Sequence, residues 1–256
     1  METVDIVAVL PPELNRAAID LSGMLTARMR EQGHPSWFRL GDPLDTGGPC
    51  EPHVSLFMLA VDRAEIPEVV AATQCLAAEL PLLAAQGEYY RHNPVGAPEL
   101  YFRKSREWID LQRAVVARVE PLRRGRLRET DPAGERITGL IADPGQDRVR
   151  RDQLTRYGYD EITDVWDGGA ADRFNPHVTL AWPIDPDFRV DLAELPPAAE
   201  FAGVLPGLAV YGMSPHGTCT ALFGTAPFGV SPIGGSSGGN TTGRLNSHSS
   251  RASGGE

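Results

Sequence analysis

The chain has 256 residues, with 34 acidic and 24 basic side chains and a formal net charge of −10. That length suits one globular domain or two small lobes with an ample core. The acidic balance argues against a sleeve for long duplex nucleic acid, which needs a broad basic surface, but not against a small phosphate ligand, which feels the local field of its cleft. Lys104 is the one lysine; the other 23 basic residues are arginines. No apolar run approaches the ~18–20 residues of a membrane span. The acidic start, Met1 to Asp5, lacks the basic region of a secretory signal, so a cytoplasmic protein with no membrane partner is expected. Cys50, Cys75 and Cys219 lie far apart without CxxC spacing. They read as three inert thiols of a reducing compartment, neither a disulfide framework nor a zinc site.

Taken in chain order, Val4–Leu10 is a short apolar run stopped by Pro11-Pro12, a buried strand. Leu14, Ala18, Leu21, Leu25 and Met29 have helical spacing over 13–32, with Pro12 ahead and Gly33 behind. Residues 52–61 read as a strand, 65–86 as a helix ending before Gly87, and 99–103 as a strand. Ile109, Gln112, Val116 and Val119 mark a helix over 105–122. The stretch 123–175 is polar and turn-rich, with a short helix near 147–157. Residues 176–183 read as a strand, and strand-like runs follow near 201–211 and 218–224. Strand, helix, strand is written at least twice without reliable parallel crossovers, which predicts an α+β fold rather than a doubly wound one. Residues 1–228 form this two-lobed body. From 229 to 256 the chain is mostly Gly and Ser with four aliphatic residues, which predicts a flexible tail.

Two segments of the body nearly repeat. Pro52-His53-Val54-Ser55-Leu56 and Pro176-His177-Val178-Thr179-Leu180 lie 124 residues apart, each at the start of a strand. Side chains alternate faces along a strand, so His53 shares a face with Ser55, and His177 with Thr179. The aliphatic residues between them face the other way. If the strands are related by a pseudo-twofold axis, two imidazoles and two hydroxyls meet across one cleft. Imidazole titrates near neutrality, so one ring can accept a proton while the other gives one. The hydroxyls can donate to non-bridging phosphate oxygens. That set can cleave a phosphoester without a metal or cofactor.

The paired pentapeptides resemble the 2H phosphoesterase superfamily, which includes 2′-5′ RNA ligase-like proteins and RNA cyclic phosphodiesterases. Its mark is two His-x-Thr/Ser-x motifs, one per lobe of an internally duplicated α+β fold. The resemblance extends over most of 1–228: the opening strand, Pro-Pro and helix; Gly96 to Phe102 with the helix after it; Tyr157-Gly158-Tyr159 ahead of Phe174-Asn175-Pro176; and the closing runs Leu208–Tyr211 and Thr220–Phe223. It implies that His53 and His177 are the acid–base pair and that Ser55 and Thr179 bind phosphate. Ser55 stands where threonine is usual, and serine keeps the donor. The resemblance does not say which histidine is the base.

Further contacts are read from position. Arg91 and Arg103 flank the middle strand and could reach a phosphate, to which Arg is a bidentate donor. Tyr101 and Phe57 could stack on a base, as could Tyr89, Tyr90 and Tyr211. Phe57 is the sharpest of these, because strict alternation puts it on the face of His53 and Ser55. Trp182 falls opposite His177 and reads as core. His34 and His248 read as exposed, and His216 as a residue of the cleft rim at most. Residues 103–156 carry 14 basic and 9 acidic side chains, which reads as ion-paired surface before RNA-facing surface. The expected function is hydrolysis of a 2′,3′-cyclic phosphate or a 2′-5′ linkage of a nucleotide or short RNA end, by a monomer, in a locally neutral or basic cleft. The alternatives are a non-catalytic nucleotide-binding module and an enzyme of a small phosphoester metabolite.

Overall fold

Val4, Ile6, Val7 and Ala8 are fully buried, and the strand they form is β1 (Glu2–Val9). It leads through Pro11 into α1 (Pro12–Glu31), whose predicted stripe from Leu14 to Met29 is buried. Pro12 sits in the first turn, where its missing N–H has no helical partner to lose. The computed structural model describes residues 1–44 and 47–229, so all but the first residue of the predicted tail lies outside the described residues. The remaining elements are β2 (Ser36–Arg39), β3 (His53–Val61), α2 (Ile66–Glu79), β4 (Leu83–His92), β5 (Pro98–Phe102), α3 (Arg106–Val119), α4 (Ile137–Ala142), α5 (Arg148–Tyr157), β6 (His177–Thr179), β7 (Ala181–Pro183), β8 (Ala202–Leu205), β9 (Gly207–Ser214) and β10 (Thr218–Pro227).

Two antiparallel sheets carry the molecule. One has the order β10-β9-β1-β3 and the other β6-β5-β4-β8, with β2 and β7 forming a separate pair. In each large sheet a histidine strand pairs with the strand that precedes it across a helix: β1, α1 and β3 in one, β5, α3 and β6 in the other. This is the predicted α+β duplication, with one difference. The first sheet is completed by the C-terminal strands β9 and β10, so the lobes are not the two halves of the chain. One apolar core runs through both sheets and includes Leu56, Leu59, Leu100, Phe102 and Trp108. β3 and β6 lie in contact, which brings the two motifs to the same seam.

Three predicted boundaries differ. The helix over 65–86 stops at Glu79, because Pro81 bars Leu80 from helical geometry (φ −92°, ψ 143°). Its last part is β4 instead, and Gly87 is a strand residue rather than a helix stop. A Cβ at Gly87 would come within 2.1 Å of the Ala198 carbonyl oxygen, so the glycine permits that close crossing. The strand over 176–183 divides into β6 and β7, which belong to different sheets. The run 201–211 is split by Pro206 into β8 and β9, which also belong to different sheets. The helix near 147–157 is present as α5. The helix over 105–122 is α3, extended by a 3-10 turn at Glu120–Arg123.

Candidate active site

His53, Ser55, His177 and Thr179 line one cleft of about 400 Å³ between the two sheets. The local chain folds the same way in both motifs. Nδ1 of His53 lies 2.7 Å from the Glu51 carbonyl oxygen, and Nδ1 of His177 lies 2.7 Å from the Asn175 carbonyl oxygen. Each carbonyl is two residues upstream of its ring. An Nδ1–H donated to it leaves Nε2 as the reactive nitrogen of both histidines.

Behind each motif stands a buried acid that the sequence reading did not single out. Asp5 on β1 accepts from the Ser55 hydroxyl at 2.6 Å and lies 4.0 Å from His53 Nε2. Glu99 on β5 pairs in register with Thr179. Its carboxylate lies 3.7 Å from His177 Nε2 and accepts from Thr179 at 3.5 Å, Tyr101 at 2.5 Å and Asn93 at 2.8 Å. A signal was present: Asp5 is the one charged residue inside the apolar run from Val4 to Leu10, and a buried strand carries a charge only for a reason.

The two sides differ electrically. Burial, with repulsion from His177, holds His53 below the ordinary imidazole value. Burial also pulls on His177, but the Glu99 and Glu161 carboxylates outweigh it and hold that ring above the ordinary value. Burial pushes the Asp5 carboxyl up to about 8, against the Ser55 hydrogen bond and the positive field of Arg128. The cleft thus favours a neutral His53 and a protonated His177.

Asp5, His53 and Cys219 offer a carboxylate oxygen, an imidazole nitrogen and a sulfur within 4.8 Å of one another. Burial holds the Cys219 thiol well above its usual value, and a neutral thiol is a poor metal ligand. Its sulfur lies 3.5 Å from His53 Nε2, where an S–H can donate to the ring.

The other predicted contacts divide. Tyr101 lines the cleft, opposite His177 in the β5–β6 register, with its ring 5.3 Å from the imidazole. Phe57 does not. The β1–β3 register shifts between Ile6 and Val7, so Ser55 opposes Val7 while Phe57 opposes Ile6. The extra residue, Leu56, is a β-bulge, which turns Phe57 to the other face. There it is fully buried, edge-on to Tyr159 at 5.8 Å, and Met58 takes its place in the cleft. Arg91 opposes Glu99 from β4, one strand further out, and Arg103 follows the end of β5; both are exposed and neither lines the cleft. Tyr89 stacks on Tyr101 at 4.9 Å, and Tyr90 packs edge-on to Phe201.

Trp182 is buried as predicted, yet it also lines the cleft, because the break after Thr179 resets the alternation. His216 lines the cleft too, its ring 4.9 Å from Trp37 and 5.4 Å from Trp182, in a left-handed backbone conformation (φ 62°). His34 is half-buried rather than exposed, stacked on Phe188 at 4.1 Å. His248 lies outside the described residues.

The segment 123–175 forms the outer wall of the cleft and supplies Arg128, Asp131, Arg150, Asp160, Glu161 and Arg173. The lining holds more carboxylates than arginines, so the expectation of a neutral or basic cleft fails in its simple form. Arg150 is bound to Asp160 at 2.5 Å and to Asp131 at 3.4 Å, and Arg173 lies 3.6 Å from Asp160. Elsewhere the arginine-rich stretch is ion-paired as predicted, for example Arg124 and Arg126 with Glu65.

Among solved structures, TT0787 of Thermus thermophilus matches over 88% of this chain and 97% of its own, with a TM-score of 0.50 at 18% identity. E. coli LigT complexed with NADP+ matches over 89% and 97%, with a TM-score of 0.47 at 14% identity. A structure described as a phosphoesterase matches over 89% and 99%, with a TM-score of 0.44 at 15% identity. No family model matches the chain, and no curated protein does. The fold is shared with TT0787, and it is the two-lobed α+β fold that the resemblance to the 2H phosphoesterase superfamily implies.

Proposed function

We propose that the chain is a metal-independent phosphodiesterase of the 2H type, hydrolysing a 2′,3′-cyclic phosphate or a 2′-5′ linkage of a nucleotide or RNA end. One observation carries the reading: two histidines, each with Nδ1 tied to the carbonyl two residues upstream, line one cleft in opposite electrostatic settings. His53, favoured neutral, takes the proton of the attacking water at Nε2. His177, favoured protonated, gives its Nε2 proton to the leaving oxygen, and Glu99 stabilises the imidazolium until it does. The resemblance left this direction open; the differing neighbours of the two rings support it.

Asp5 has a part in the same scheme. With its carboxyl pushed up to about 8, it is largely protonated near neutrality, so the O–H that Ser55 donates to it is held by a neutral acceptor rather than a carboxylate. A neutral acceptor holds it less tightly, and the Ser55 O–H can turn to a non-bridging phosphate oxygen. Thr179 makes only a long contact to Glu99, so its hydroxyl is easily redirected to the phosphate. The size of the cleft suits a mononucleotide.

The test is a panel of 2′,3′-cyclic mononucleotides, 2′-5′ dinucleotides and 3′-5′ dinucleotides, with products identified and EDTA present throughout. Turnover of one of the first two groups, with a single regioisomer formed, is the expected result. Tight binding of a nucleotide with no product would favour a binding module instead.

A further inference from the structure

The lining of the cleft contains one arginine that has no ion-pair partner among the described residues. Arg128 is 2% exposed. Its Nε donates to the Gly158 carbonyl oxygen at 3.2 Å, and Nη1 faces the Met58 sulfur at 3.3 Å, a weak acceptor. Nη2 has no hydrogen-bond partner, and no carboxylate lies within ion-pair distance of the guanidinium, among the described residues. Its other neighbour is the Tyr159 ring, 5.4 Å from Cζ.

Arg123, five residues earlier, shows what a structural arginine looks like here. It is similarly buried, but it pairs with Glu120 at 3.1 Å and donates to the carbonyls of Arg126 and Arg156. Buried guanidinium groups are ordinarily satisfied in this way, because an unpaired buried charge is costly. Arg150 and Arg173 are already engaged by Asp160. Arg128 is thus the cleft-lining arginine without a carboxylate partner among the described residues.

We propose that Arg128 is the anion site of the cleft and binds the non-bridging oxygens of the phosphate that His53 and His177 act upon. This rests on the phosphodiesterase reading for the identity of the anion. The position fits. Met58, which Arg128 touches, lies on the β3 face that carries His53 and Ser55. Nη2 is buried in this structure, so the fork meets a phosphate by shifting past Met58, whose sulfur is a weak acceptor that Nη1 can give up; the freed fork is then a bidentate match to phosphate. A negative charge held there compensates the guanidinium and is stabilised as charge builds on phosphorus.

The experiment measures equilibrium binding of inorganic phosphate by calorimetry, together with KM and kcat for the best substrate of the panel, in wild type, Arg128→Met and Arg128→Lys. Thermal unfolding is recorded without ligand. Arg128→Met is expected to weaken phosphate binding at least tenfold and raise KM by a similar factor, with the unfolding midpoint unchanged or higher. Arg128→Lys, a point charge without the fork, should fall between the two. A purely structural arginine would do the reverse: a lower midpoint with phosphate affinity and KM unchanged, which would overturn the proposal. Wild-type protein that binds no phosphate would overturn it as well. Arg128-dependent phosphate binding without turnover of any panel member would sustain this site while sinking the hydrolase reading.

Discussion

His53 and His177 are chemically the same residue in nearly the same pentapeptide, and their neighbours make them different. Glu99 and Glu161 act on His177, while burial and the His177 charge act on His53. Activity should rise with pH as His53 loses its proton, below the ordinary imidazole value. It should fall as His177 loses its own, above that value. The profile of kcat/KM is therefore expected to be a bell around neutrality. Glu99→Gln removes the largest influence raising His177 and should move the basic limb to lower pH while leaving the acidic limb in place. A Glu99→Gln profile superimposable on wild type would show that the carboxylate does not set the acid. The histidines and hydroxyls were legible because they recur as a pair. Asp5 stood out as a charge in an apolar run, but its pairing and that of Glu99 were not legible, because each acid lies on a different strand, 50 and 80 residues from its hydroxyl partner.

At the scale of elements, one bulge decides which side chain of β3 faces the cleft. Strict alternation along 53–57 puts Phe57 in the cleft; the extra residue at Leu56 puts Met58 there and Phe57 in the core. Phe57→Ala should accordingly cost about 3–5 kcal/mol of stability, the usual range for a buried phenylalanine. KM should be unchanged in the protein that remains folded. A raised KM at unaltered stability would restore Phe57 to the cleft. The break after Thr179 acts in the same way on Trp182, which alternation alone left in the core. Periodicity found the elements where it ran unbroken, as in α1 and α3. It failed at 80–92, where Pro81 ended a helix-like stretch and pairing with β5 and β8 made the rest a strand. It could not foresee bulges, strand breaks or the choice of sheet, which are settled by pairing between distant segments.

Across the whole molecule, the net charge of −10 now has a local counterpart. The cleft wall built by 123–175 is rich in carboxylates, and of its lining arginines Arg150 and Arg173 are paired with them while Arg128 is not, among the described residues. Such a surface suits one phosphate held at one point. The apparent affinity for a mononucleotide substrate should fall only shallowly with salt, by ordinary screening of one ion pair, because a mononucleotide carries no condensed counterions to release. A steep fall, with long RNA preferred over the mononucleotide, would mean an extended basic track that the wall does not supply. No helix among the described residues is long and apolar enough to cross a membrane. The proposed function is concentrated at the seam of two sheets, where β3 and β6 touch and each contributes one motif. The most direct measurement of that claim is the hydrolysis rate of the preferred cyclic or 2′-5′ substrate by His53→Ala and by His177→Ala. Each substitution, made alone in folded protein, is expected to lower kcat by a factor on the order of 10²–10⁴; a rate within a few-fold of wild type for either one would contradict the two-histidine mechanism.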